Sequence, residues 1–138
     1  MPRGALAGLA AAAAWAAVEP LASRVVRPPR GYSDVRLLGA VVTQGPAWRL
    51  VGTALHLGNG ALFGAAFERL GGRGVGQGVL AAQVENLALW PGMAVVDRLH
   101  PDRRSGAWPP LLRNGSVFAY ESAVHGVFGA VLGLLLRR

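Results

Sequence analysis

Four stretches of about twenty residues, almost free of charge, alternate along this chain with short segments in which arginines crowd together. The stretches cover roughly residues 4–23, 49–68, 75–96 and 114–136, and the segments between them hold Arg24, Arg27, Arg30 and Arg36, then Arg98, Arg103, Arg104 and Arg113. About 20 apolar residues are what a helix needs to cross a bilayer. In hydrocarbon every backbone polar group must be satisfied within the protein, which for stretches this long means helices. The pattern therefore predicts an all-α fold, an integral membrane four-helix bundle forming one membrane domain over residues 1–138.

Composition agrees, because apolar residues make up 52% and charged ones 15%, against roughly a quarter charged in soluble domains. All 14 basic residues are arginine and the net charge is +7. They sit in loops, where membrane proteins carry them, and not on one face of a folded surface. The expected partner is the lipid bilayer, and nucleic acid is not. With no cysteine, the sequence has no disulfide framework, thiolate nucleophile or Cys-based metal or iron–sulfur site.

The alanine-rich first stretch has triplets resembling a signal-peptide cleavage site, yet Glu19-Pro20 lies within it and predicts a retained helix. In the first linker, Pro28-Pro29, Gly31-Tyr32, Gly45-Pro46 and the apolar piece 37–42 predict part interfacial helix, part turn. The turn Gly71-Gly72-Arg73-Gly74 is short enough to make the helices on either side antiparallel. Pro91 should kink the third helix. A second linker carries Pro101-Asp102-Arg103-Arg104 and Trp108-Pro109-Pro110. Trp48, Trp108 and Tyr120 fall near helix ends, where aromatic belts form.

An internal duplication is the most informative pattern. Laying Gly8-Leu9-Ala10-Ala11-Ala12 over Gly78-Val79-Leu80-Ala81-Ala82 brings Pro20 within one residue of Pro91, and His56 within one residue of His125. Each histidine opens His-x-x-x-Gly-x-x-x-Gly: His56, Gly60, Gly64 and His125, Gly129, Gly133. The chain thus reads as two tandem helical hairpins, about 4–70 and 75–138. Hairpins in series share an orientation, so a pseudo-twofold axis along the membrane normal should relate them and set both histidines at one depth. Nine arginines belong to the two long linkers and their edges, and five, Arg3, Arg69, Arg73, Arg137 and Arg138, to the other side. The bias predicts a multi-pass protein with its linkers cytoplasmic.

These features resemble the YagU-like family of small bacterial inner-membrane proteins, whose function is not established. The resemblance is carried by Gly4-x-x-x-Gly8, Trp15, Glu19-Pro20-Leu21, His56, the glycine-led third helix from Gly78, Pro109-Pro110, Glu121-x-x-x-His125 and Arg137-Arg138. It covers nearly the whole length and implies a four-helix fold in the bacterial inner membrane. No catalytic residue follows from it.

Ionisable groups in hydrocarbon are expensive, which makes Glu19, His56, Glu85 and His125 candidate functional residues, with Gln83, Asn86 and Glu121 as further intramembrane polar groups. The bland reading is interhelical glue. On it the chain is a structural or interaction module, packed through small-residue ridges that include Gly52, Gly60, Gly64, Gly129 and Gly133, in a homo-oligomer or with another membrane protein. A second reading uses His56 and His125 to hold a b-type haem, the glycines giving flat space beside each ligand, or to line a proton or solute path with Glu19, Gln83, Glu85 and Asn86. Glu121 and His125 share a helical face and would hold a metal only with a third ligand from Glu85 or His56. The third reading is a membrane-embedded enzyme acting on a lipid or isoprenoid, with Glu85 or Glu121 as acid or base. No serine lies in a nucleophile-elbow motif and no phosphate loop is present, so an enzyme is the minority reading.

Overall fold

The computed structural model describes residues 1–137, whose regular elements are all helices, with no strand among them. Helix α1 (Arg3–Val26) starts where Glu68 accepts the N–H of Gly4 at 2.6 Å, and ends at Arg27 in the left-handed region. The apolar piece of the first linker becomes α2 (Asp34–Val42). Its N-terminus is capped by Ser33, which accepts from the N–H of Arg36, and by Glu19, which accepts from the N–H of Asp34 at 3.0 Å. Helix α3 (Trp48–Arg69) leads through a four-residue turn into α4 (Gly74–Leu89), with Gly71 and Gly74 at the positive φ the reversal requires. Pro91 breaks the third stretch as its chemistry demands. A 3₁₀ turn at Trp90–Gly92 separates α4 from α5 (Met93–Leu99), and a short α6 (Pro101–Arg104) follows. Asn114 caps α7 (Gly115–Leu135) by accepting the N–H groups of Ser116 and Val117.

Four helices, Arg3–Val26, Trp48–Arg69, Gly74–Leu99 and Gly115–Leu135, are long and apolar enough to cross a membrane. Helix α1 is central, packing on α3 and on α7. Helix α4 packs on the far side of α7, and α2 lies on α3. The α1–α3 and α4–α7 contacts are built on glycine. A Cβ on Gly8 would overlap the carbonyl of Gly60, and one on Gly64 that of Gly4. In the other pair, a Cβ on Gly129 would overlap the carbonyl of Gly78, and one on Gly133 that of Gly74. Backbones therefore touch along both seams. Gly52 serves a different contact from the other ridge glycines, meeting Val35 of α2. Although joined by a tight turn, α3 and α4 make no extensive contact with each other.

An apolar core that includes Trp15, Leu111, Val117 and Leu132 is combined with polar groups inside and leucines outside. Leu6, Leu50, Leu62, Leu80 and Leu87 are more than half exposed, whereas Glu19, His56, Asn86, Glu121 and His125 are buried.

Both linkers lie at one end of the bundle and grip each other. Arg36 of α2 donates to Asp102 of α6 with Nε and a terminal nitrogen, at 2.6 and 2.7 Å. Asp97 holds Arg103 and the N–H groups of Leu111 and Leu112. The belt assignment holds for neither Trp108 nor Tyr120. Both are buried against Tyr32, with ring centroids 5.1 and 5.6 Å away, because the folded linkers roof this end of the bundle. Trp48 is half-buried, with the guanidinium groups of Arg36 and Arg49 over its ring.

A carboxylate and histidine cavity between α3 and α4

Where α3 and α4 separate, they leave a cavity of about 480 Å³, closed behind by α1 and α7 and at one end by α2 and α5. Asp34, His56, Asn59, Glu85, Asn86, Glu121 and His125 line it, together with Leu37, Leu55, Leu89, Met93 and Phe128. The volume is typical of small-molecule sites, as is an apolar wall with few polar groups.

Each polar group has a definite partner or lacks one. His56 is held at both nitrogens. Its Nε2 lies 2.9 Å from the carbonyl of Ala12, which can only accept, so Nε2 carries a proton. Its Nδ1 lies 2.6 Å from Asp34 Oδ2, and a second proton sits in that contact. His125 differs. Its Nδ1 donates to the carbonyl of Glu121 at 2.7 Å, and its Nε2 faces Glu85 across 3.9 Å, too far for a hydrogen bond. Both imidazoles pack on Trp15, at centroid distances of 5.0 and 4.5 Å.

Glu19 accepts from Trp15 Nε1 and from the N–H of Asp34, which ties α1 to α2. Glu121 accepts from the Tyr32 hydroxyl at 2.5 Å. Burial, then the adjacent Glu121, pushes the Tyr32 hydroxyl well above its ordinary range, so it acts as a donor. Gln83 and Asn86 bond to Ser122 of α7, through its carbonyl and its hydroxyl, and act as glue between α4 and α7. Glu85 lines the cavity across from Asn59 of α3 and faces His125.

No family model, curated protein or solved structure matches this chain.

The residues do not fit the b-type haem expected between His56 and His125. An axial ligand needs a free nitrogen lone pair, and His56 has none. The flat space expected beside Gly60, Gly64, Gly129 and Gly133 is filled by Ala12, Gly8 and Gly4 on one seam, and by Gly78, Val79 and Gly74 on the other. Nor does a third ligand join Glu121 and His125, since among the described residues no three His, Asp or Glu side chains form a metal-holding group. The ridge glycines are spent within the chain, so they present no surface to a partner.

Asp34, Asn59 and Trp15 line the site and Tyr32 bonds to its Glu121, and none of the four is among the candidate site residues read from sequence. Ser33-Asp34 carries a helix-start signature that was there to be read. That the helix it starts would aim Asp34 at His56 depends on how the linker folds back, which sequence spacing does not encode.

Proposed function

We propose that this chain is a multi-pass protein of the bacterial cytoplasmic membrane whose cavity binds a small lipophilic molecule and takes up or releases a proton through His125 and Glu85. The observation that carries this reading is the contrast between the two histidines. His56 is fully committed to Asp34 and Ala12, whereas His125 is anchored by one nitrogen and turns the other toward Glu85 in the cavity. An imidazole fixed at Nδ1 leaves Nε2 to take up or release a proton. Leucines outward and ionisable groups inward suit hydrocarbon as the surrounding solvent.

The proposal includes a duplicated hairpin with its pseudo-twofold axis along the membrane normal, and linkers on the cytoplasmic side. Matching glycine seams at Gly4, Gly8, Gly60, Gly64 and at Gly74, Gly78, Gly129, Gly133 support the duplication. Under the offset that aligns Gly8 with Gly78, Trp15 corresponds to Glu85. Trp15 packs on both His56 and His125 and Glu85 faces His125, so the two repeat-related positions both lie beside the histidines. The resemblance to YagU-like proteins belongs to this proposal and rests on its motifs alone.

A hydrophobic carbene photolabel applied to the protein in nanodiscs tests the ligand site. Met93 and Phe128 are buried from lipid yet line the cavity, whereas Val117 and Leu132 are buried elsewhere. Adducts on Met93 and Phe128 above the level on Val117 and Leu132 are expected. Adducts confined to outward leucines would contradict a cavity open to small molecules.

A further inference from the structure

The charge balance of the cavity points to a class of ligand, given that the cavity is a ligand site as proposed above. Its lining holds three carboxylates, Asp34, Glu85 and Glu121, and no arginine. Asp34 is neutralised by the proton it shares with His56, and Glu121 is engaged by Tyr32. Glu85 has no charged group within hydrogen-bond distance, with His125 Nε2 facing it across 3.9 Å. In a low-dielectric setting an isolated carboxylate must take up a proton or acquire a counter-cation. Trp15, Trp90 and Phe128 also line the cavity, and aromatic rings attract a positive charge. Leu55 and Asn59 on α3 and Leu89 on α4 are exposed at its edge, which makes the gap between these helices a lateral entrance from the bilayer.

We propose that the cavity takes a lipophilic organic cation, entering between α3 and α4, with Glu85 as its counter-charge. The cation and a proton compete for the same carboxylate. Binding to the protonated site releases one proton to water, and no covalent bond other than that O–H is broken. A neutral or anionic molecule of the same shape gains nothing from Glu85 and is rejected by it when ionised.

The test uses the full chain in nanodiscs of zwitterionic lipid and three probes of similar bulk: tetraphenylphosphonium, tetraphenylborate and neutral triphenylphosphine oxide. Tetraphenylphosphonium is expected to bind saturably and to release about one proton per molecule bound in weakly buffered solution. Glu85→Gln should weaken it by roughly tenfold or more, while Glu85→Asp retains most of the affinity. Proton release by the unaltered chain gives a readout that does not depend on any variant folding. Equal binding of tetraphenylborate, or equal affinity in a folded Glu85→Gln, would overturn the cation assignment. Should the carbene label reach Met93 and Phe128 while tetraphenylphosphonium fails to bind, the cavity stands and the ligand class is wrong. Absence of both overturns the two readings together.

Discussion

At the scale of single residues, the site is organised by which lone pairs are already taken. His56 spends both nitrogens on Asp34 and Ala12, so replacing Asp34 leaves a buried donor without its acceptor. Asp34→Ala is expected to cost about 1–3 kcal/mol of stability, read as a lowered midpoint in thermal melts of the detergent-solubilised protein. Outside the four long apolar helices, His100 provides a pH dependence. Its ring stacks on Trp108 at 4.6 Å, and its Nδ1 accepts the N–H of Asp102. Burial holds its pKa below the ordinary value, against the opposing pull of Asp102 and the carbonyls of Arg36 and Leu37. The folded linkers therefore favour the neutral ring, while the unfolded chain begins to bind a proton near pH 6.5. Stability from this group is fully present above that pH and declines below it, so melts between pH 7.5 and 5.5 should fall, and His100→Asn should flatten the fall. The candidate residues Glu19, His56, Glu85, Glu121 and His125 were legible in the sequence because charge in an apolar run stands out. Asp34 was not, because it lies outside the runs and enters the site only through the fold of its linker.

At the scale of helices, four spans, their short turn and the proline break were readable from charge-free length, Gly71 to Gly74 and Pro91. The glycine spacing marked ridges suited to close backbone approach. What it could not disclose was the partner of each ridge. Gly52 continues the same spacing yet meets α2, and only the folding back of the first linker decides that. Gly8→Leu or Gly78→Leu inserts a side chain where a carbonyl already lies, and is expected to cost about 3 kcal/mol or more. Gly58 has open space around its Cα, so Gly58→Leu should be tolerated. Yield of monodisperse protein on gel filtration after mild heating separates the two outcomes. Trp108 and Tyr120 show the limit of position along a helix as evidence. Residues near helix ends belong to an aromatic belt only if nothing covers them, and here the two linkers do.

At the scale of the whole molecule, α3 and α4 are consecutive in sequence but stand apart, and the gap between them becomes the cavity. Its carboxylates and histidines come from three of the four long apolar helices and from α2, which is why no local motif announced it. Because the chain has no cysteine, single introduced cysteines report topology cleanly. Arg30→Cys and Ser105→Cys should react with a membrane-impermeant maleimide from the same side, and Arg73→Cys from the other. The central claim is that His125 is fixed at Nδ1 and exchanges its proton at Nε2 beside Glu85. Ring ¹⁵N spectra of histidine-labelled protein in nanodiscs test it most directly, with the His125 signals assigned by comparison with His125→Gln. The account predicts that Nδ1 keeps its proton from pH 5 to 9 while Nε2 alone responds to pH and to Glu85→Gln. A His125 that loses its Nδ1 proton, or an Nε2 indifferent to Glu85, would contradict it.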